Sequence, residues 1–149
     1  MIIAAILGAK GSEVVSVAPE DTVLSVARTL TEHRIGAALV RDAGGTILGI
    51  ISERDIVRGM AGNGPGTSLV PAAQLMTRDL VTATPRTLVT EALAMMTEHR
   101  IRHLPVVEEE GAGTARLVGL VSIGDLVKAR IDEAVYEAEE LRAYVISAG

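Results

Sequence analysis

The chain repeats itself, and that repeat limits what it can fold into. Thr31-Glu32-His33-Arg34-Ile35 recurs unchanged as Thr97-Glu98-His99-Arg100-Ile101, 66 residues later. Pro19 and Val23 return at the same spacing as Pro85 and Val89. Farther along, Gly49-Ile50-Ile51-Ser52-Glu53-Arg54-Asp55-Ile56-Val57 is matched by Gly119-Leu120-Val121-Ser122-Ile123-Gly124-Asp125-Leu126-Val127, now 70 residues apart, so the second copy carries four additional residues within 108–115. Insertions collect at exposed turns because they disturb little buried backbone. A supersecondary unit used twice, each copy too small to close a core in comfort, is the expected solution.

Each copy reads as β-α-β-β-α. A short β-rich run opens it, at 14–17 and again at 80–83, and a proline follows. The next helix carries Val23, Val26, Ala27 and Leu30, echoed by Val89, Ala92, Leu93 and Met96. That i, i+3, i+4, i+7 stripe buries one helical face. Asp21 or Thr22 is placed to cap the first of these helices, and Thr87 lies near the same point of the second. Two strands follow, at 36–41 and 46–51, then at 102–107 and 116–121. Asp42-Ala43-Gly44-Gly45 makes a tight hairpin connector from residues that tolerate φ > 0. Ser52 and Ser122 are each placed to be the N-cap of a second helix. The reading is an α/β protein: two β-α-β-β-α repeats packed with pseudo-two-fold symmetry, plus a long C-terminal helix. Residues 10–62 form the first repeat, 63–75 a linker, 76–131 the second repeat and 132–149 a helical tail. Residues 62–68, rich in Gly, Pro, Asn and Ser, read as a loop, and 70–76 as a short helix.

Composition removes several function classes. There is no Cys among the 149 residues, which excludes disulfides, thiolate metal sites and a cysteine nucleophile and fits a reducing cytoplasm. The formal charge is −5, from 14 basic and 19 acidic residues, and no dense basic run offers a nucleic-acid footprint. With no Phe, no Trp and only Tyr136 and Tyr144, any bound base is gripped by aliphatic side chains and backbone. Residues 1–7 are apolar but too short to span a bilayer and lack a basic leader; they read as a buried N-terminal helix. Three scattered His make a zinc site unsupported, and neither a nucleophile elbow nor a P-loop occurs.

The strongest chemical signal is Gly-h-h-Ser-x-x-Asp-h-h, where h is aliphatic, present in both copies. A buried strand ends at Ser and a helix begins there. The first N–H groups of a helix have no partners within it and attract anions. The Ser hydroxyl adds a donor for a phosphate, and the Asp carboxylate one turn on can accept from both hydroxyls of a ribose. A plain helix start explains the same residues, with Ser as cap and Asp in the first turn. Recurrence after the same strand in the same repeat favours the ligand reading.

Ile101-Arg102-His103-Leu104-Pro105-Val106-Val107 followed by Leu117-Val118-Gly119-Leu120-Val121-Ser122-Ile123-Gly124-Asp125-Leu126 resembles the second half of a tandem CBS-domain pair, a Bateman module of the stand-alone bacterial type. Gln74-Leu75-Met76-Thr77-Arg78-Asp79-Leu80-Val81-Thr82 resembles the approach to that half. Ile35-Gly36-Ala37-Ala38-Leu39-Val40 and Ile50-Ile51-Ser52-Glu53-Arg54-Asp55-Ile56-Val57-Arg58 are similar to the first half. The likeness runs from about Lys10 to Arg130. It implies two clefts between the paired domains, each able to take an adenosine-type ligand: AMP foremost, with ADP, ATP, NAD(H) or S-adenosylmethionine as alternatives. It implies that Asp55 and Asp125 hold ribose hydroxyls and that Ser52 and Ser122 reach phosphate. It places Gly36, Ala37, Ala38, Arg102, His103 and Leu104, with Val17 and the run from Thr82 to Thr84 in the leading strands, along the base pocket, and counts Pro105 and Gly124 among the ligand-binding residues. Arg54, Arg102, His103 and Lys10 are the charged candidates for phosphate. Glu53-Arg54 stands where the second copy has Ile123-Gly124, so the two sites are expected to differ in affinity.

His33 and His99 close their helices, where a positive side chain complements the negative helix terminus. In the tail, Val127, Ile131, Ala134, Ala138, Leu141 and Val145 are spaced 4, 3, 4, 3, 4, a heptad-like seam. Asp132, Glu133, Glu137, Glu139 and Glu140 lie outside it. A homodimer through this helix is expected, in keeping with the flat dimers the family resemblance implies. The chain then reads as a cytoplasmic, non-enzymatic regulatory module that requires no cofactor, senses an adenosine nucleotide and passes its output to a separate effector protein, with no membrane or nucleic-acid partner. The alternative is a ligand-free scaffold that dimerises and binds a partner protein. An enzyme acting on the nucleotide would have to rely on His103.

Overall fold

The computed structural model describes residues 1–148. In chain order its elements are α1 (Ile3–Lys10), β1 (Ser16–Val17), α2 (Val23–His33), β2 (Ala37–Arg41), β3 (Ile47–Ser52), α3 (Glu53–Asn63), a 3-10 helix (Gly64–Leu69), α4 (Ala72–Leu75), α5 (Val89–His99), β4 (His103–Glu109), β5 (Ala115–Ser122) and α6 (Ile123–Ala148). They form two compact units. Val14–Leu80 holds the first repeat; Met1–Glu13 and the chain from Val81 onward hold the second.

In the first-repeat unit, β1 pairs parallel with β2, which pairs antiparallel with β3. The apolar stripe of α2 does what its spacing predicts: Val26 and Leu30 pack with Ala38, Val40 and Ile51. Thr22 is the cap, its hydroxyl oxygen accepting from the Ser25 N–H at 3.2 Å. Arg34 ends α2 in the left-handed region at φ 53, and the Ile35 N–H returns to the Leu30 carbonyl at 3.0 Å. Arg100 and Ile101 end α5 the same way, at φ 55 and with a 3.0 Å bond to the Met96 carbonyl. The repeated Thr-Glu-His-Arg-Ile is therefore a helix-stopping motif that returns an apolar residue to the core. His33 adds a 2.9 Å bond from its ring to the Thr29 carbonyl.

Residues 62–68, expected as a loop, instead hold the end of α3 and most of the 3-10 helix Gly64–Leu69. The buried Thr67 hydroxyl explains it, lying 2.7 Å from the Gly64 carbonyl and 3.2 Å from that of Gly59. One side chain thus ties the tight turn to α3.

The second-repeat unit has the two-stranded sheet β4–β5. The strand expected at 80–83 contracts to a single parallel bridge, Ala83 with Val106. The cause is Pro105. In the first repeat the Leu39 N–H donates to the Val15 carbonyl at 3.2 Å and extends the ladder. Pro105 stands where Leu39 does and has no N–H to give Val81. The inserted residues lengthen the β4–β5 hairpin, whose turn places Gly111, Ala112 and Gly113 at positive φ. Thr87 does not cap α5; its hydroxyl oxygen accepts from the Thr84 N–H instead, and Glu91 takes the Leu88 N–H.

Helix α1 completes the second core, not the first. Ile3 and Ile6 pack with Val89, Ala92, Leu104, Val106, Val121 and Leu126. The Ile3 and Ala4 N–H groups bond to the Thr87 and Pro85 carbonyls at 2.9 and 2.8 Å. The first core is completed by α4 and the residues after it: Ala72 and Met76 belong to it, and Ile50 and Thr77 exchange N–H···O bonds of 3.0 and 2.8 Å. At the far end, α6 commits Leu126 and Ala129 to the core, and from Ala134 to Ala148 its side chains are exposed. Among the described residues no helix is long and apolar enough to cross a membrane.

The glycine that opens each strand-to-helix motif separates the two units in a measurable way. A Cβ on Gly49 would stand 2.6 Å from the Thr77 carbonyl oxygen, which is backbone held by the bonds just described. A Cβ on Gly119 would meet Leu7 Cδ2, also at 2.6 Å, the movable end of a side chain. Gly49→Ala is expected to destabilise by about 1–3 kcal/mol and Gly119→Ala by clearly less, in urea unfolding curves. Equal losses would mean Leu7 is held as firmly as the Thr77 backbone.

Candidate functional site

Each unit turns a corner from strand into helix at a serine, and the same bonds fix both corners. Ser52 caps α3: its hydroxyl oxygen accepts from the Asp55 N–H at 3.3 Å, while Asp55 Oδ2 accepts from the Ser52 N–H at 2.9 Å and the Ser52 hydroxyl at 3.1 Å. Ser122 and Asp125 reproduce the two backbone bonds at 3.2 and 2.8 Å. The first helical N–H is also used in each: Glu53 N donates to the Gly36 carbonyl at 2.9 Å, and Ile123 N to that of Arg102 at 2.8 Å. The helix-cap reading of Ser-x-x-Asp is thus physically realised in both copies. What remains for a ligand is the middle N–H of the first turn, on Arg54 or Gly124, and the unused carboxylate capacity.

That capacity differs between the two. Asp55 is 9 % exposed, and Thr77 Oγ1 donates to its Oδ1 at 3.2 Å. The Arg58 guanidinium stands at 4.0 Å, beyond hydrogen-bond reach. A carboxylate has about four acceptor sites; Ser52 and Thr77 fill three of those on Asp55. Asp125 instead receives the Lys10 ammonium on Oδ2 at 2.6 Å, and Lys10 also donates to the Leu120 carbonyl at 2.8 Å. Its Oδ1 takes no part in these bonds. Burial alone would raise the Asp125 pKa. The Lys10 hydrogen bond, the Ser122 N–H and the ammonium charge outweigh it and hold the carboxyl below the ordinary aspartate value.

Beside Asp55 lies an open depression of about 330 Å³, lined by Asp55, Arg58, Gly59, Gln74, Met76 and Thr77 among others. Its volume is at the low end for small-molecule sites, which run roughly 300–1,000 Å³.

The other expected residues are distributed as follows. Gly36 and Arg102 supply the carbonyls that receive the first helical N–H of each corner. Ala37 and His103 sit opposite Ser52 and Ser122 in the strand registers. Val17 and Ala38 belong to the first core and Leu104 to the second; Pro105 is buried and accepts from the Ala83 N–H at 2.9 Å. Thr82, Thr84, Arg54, Arg102 and Gly124 are exposed. Lys10, expected near phosphate, is engaged with Asp125. Sequence reasoning did not single out Thr77 or Arg58. Thr77 lies in the stretch that leads toward the second repeat, and only the fold returns it to the first.

Comparison with known proteins decides the family. The CBS domain model matches residues 11–62 and 72–132. The chain belongs to the CBS-domain family. A CBS-domain containing protein from Agrobacterium tumefaciens is 40% identical, with a TM-score of 0.81 over 87% of this chain and 92% of that one. A mitochondrial CBS domain-containing protein of Arabidopsis thaliana is 37% identical over 130 residues, 85% of this chain; the match spans 61% of that relative's length. A CBS domain pair crystallised with 5′-methylthioadenosine and S-adenosyl-L-methionine has the same fold, with a TM-score of 0.75 over 89% of this chain and 98% of that one at 23% identity. The tandem CBS architecture with its long C-terminal helix is therefore established for this chain.

The Lys10–Asp125 pair gives a pH-dependent prediction. A depressed folded pKa stabilises the fold above the unfolded aspartate value, about 3.9, and that contribution is lost as pH falls through the folded value. Lys10→Met is expected to lower stability near pH 7 by at most about 1 kcal/mol, the pair being partly exposed. Its deficit should shrink as the pH drops below about 4. A deficit independent of pH, in denaturant midpoints between acid and neutral pH, would show that Lys10 acts only through Leu120 and packing.

Proposed function

We propose that this CBS-domain pair is a regulatory module that binds an adenosine-type ligand, with Asp55 and Asp125 accepting from ribose hydroxyls and Ser52 and Ser122 on the phosphate side. One observation carries the reading: the same carboxylate is built into both strand-to-helix corners, and in the first repeat it borders an open depression with an acceptor site left over. The structurally similar pair that holds S-adenosyl-L-methionine and 5′-methylthioadenosine supports the adenosine class.

Charge favours a phosphate-bearing ligand in the first repeat. Arg54 and Arg58 both lie on α3, while the corresponding positions of the second repeat are Gly124 and Lys128. In the second repeat the nearest cation, Lys10, already neutralises Asp125. AMP, ATP or NAD(H) is the class assigned to the first repeat. The module works by linkage: a ligand that prefers one arrangement of the repeats shifts the population toward it, and a partner protein reads the shift. No reaction is assigned to the chain.

A thermal-shift panel with AMP, ADP, ATP, NAD⁺, NADH and S-adenosylmethionine tests this. At about 100 times its dissociation constant a ligand stabilises by roughly 2.7 kcal/mol, a rise of several degrees for a chain of this size. Asp55→Asn is expected to abolish the rise with a nucleotide, each variant being compared with its own ligand-free melt because Asp55 also caps α3. No rise with any of the six ligands would leave the scaffold reading in its place.

A further inference from the structure

Helix α1 does more than fill the second core. Ile3 and Ile6 anchor it there. Leu7 lies so close to Gly119 that a Cβ on that glycine would meet its Cδ2 at 2.6 Å. Lys10 follows on the same side of the helix, three residues on, at the corner that Gly119 leads into. The Gly11 N–H closes α1 on the Leu7 carbonyl at 2.8 Å, and Gly11, at φ 98, turns the chain away. The Lys10 ammonium is thereby aimed at the corner. It donates to the Leu120 carbonyl at 2.8 Å and to Asp125 Oδ2 at 2.6 Å.

A ribose hydroxyl assigned to Asp125 would donate to the same carboxylate. An ammonium is all donor, so it fills acceptor capacity from inside the chain. Oδ2 is used twice, by Lys10 and by the Ser122 N–H. At Asp55 the corresponding oxygen is shared by the Ser52 N–H and the Ser52 hydroxyl. That hydroxyl is neutral and can turn its proton to another acceptor. Withdrawing an ammonium separates two charges instead, and charge-assisted bonds are roughly twice as strong as neutral ones.

We propose that Lys10 is a built-in competitor at the second-repeat corner: its ammonium stands in for a ribose hydroxyl on Asp125, and a nucleoside binds there only by displacing it. This rests on the assignment of Asp125 to a ribose. An uncharged nucleoside offers the carboxylate neutral donors and leaves the displaced ammonium without an anion. A nucleotide brings a phosphate to which the ammonium can transfer. The corner therefore discriminates against nucleosides. With the Lys10 side chain 38% and that of Asp125 25% exposed, the penalty is about fivefold in affinity, that of breaking a partly exposed ion pair. In the first repeat the group that reaches Asp55 from the completing segment is the neutral Thr77 hydroxyl, and no ammonium has to leave.

Calorimetry with adenosine on the full chain tests this in the wild type, Lys10→Met, Asp125→Asn and the double variant. Binding at the second repeat is the part that Asp125→Asn removes. Lys10→Met is expected to tighten that part about fivefold, less so for AMP, and the gain is expected to vanish when Asp125→Asn is added. Loss of a merely structural contact would not raise affinity. Lys10 and Lys128 are the only lysines, so mild acetylation supplies a readout without substitution. Saturating adenosine should speed labelling of Lys10 relative to the exposed Lys128. The proposal is overturned if Lys10→Met leaves adenosine affinity unchanged while Asp125→Asn still weakens it. It is equally overturned if the gain survives Asp125→Asn, if AMP gains as much as adenosine, or if Lys10 labels no faster with adenosine bound. No binding of adenosine or AMP by any of the four chains would remove the ribose assignment itself, and the competitor with it.

Discussion

A carboxylate placed one turn into a helix, at the point where a buried strand stops, has to be satisfied before its surroundings can pack. Both repeats solve this alike. The serine at the corner gives its N–H to the aspartate and takes the aspartate's N–H in return, while a carbonyl from the neighbouring strand receives the first helical N–H. Sheet, helix and corner are thereby locked in one hydrogen-bonded ring, and the glycine ahead of each corner lets the completing segment come close. Any polar ligand meets a carboxylate whose direction is already fixed, so binding does not have to order it.

The two corners diverge in what closes them from outside. In the first repeat a neutral hydroxyl, that of Thr77, reaches the carboxylate; in the second it is the Lys10 ammonium. The same two groups mark the preceding strand as well. The Ile50 carbonyl accepts the Thr77 N–H, and the Leu120 carbonyl accepts the Lys10 ammonium. One geometry thus has its carboxylate held by hydroxyls with the Arg58 guanidinium 4.0 Å away at one corner, and bonded directly by an ammonium at the other. Two corners alike in backbone differ in the charge around them, and the groups that reach each carboxylate come from the completing segments rather than from the repeated motif.

Much of this was legible in the sequence because it is local. The stripes of α2 and α5, the serine caps and the alternation of strands and helices follow from spacing alone. The most conspicuous repeat, Thr-Glu-His-Arg-Ile, concerns helix termination and apolar return rather than chemistry. Pro105 shortened a strand for a reason visible in its own covalent structure, yet only with the partner strand's register in hand. What spacing could not give was contact between segments far apart in the chain. Lys10 and Asp125 are 115 residues apart, and nothing in either neighbourhood points to the other. Thr77 sits in a stretch that reads as the approach to the second repeat and serves the first. The buried Thr67 hydroxyl, which turns a Gly- and Pro-rich run into a 3-10 helix, is likewise a tertiary fact.

Because each core is finished by the segment that precedes the other repeat, the two units differ in when they can exist during synthesis. Val14–Leu80 is continuous and can fold once it clears the ribosome, domains generally forming as units from the N-terminal side. The second core has to wait. Ile3 and Ile6, made before the first unit, have partners on β4, β5 and α6, made after it. Helix α1 therefore has no core to join until the first unit has been made and the chain beyond it has followed. The repeat looks symmetric in sequence, but one unit can close on a single stretch of chain while the other has to join two stretches with the first unit between them in sequence.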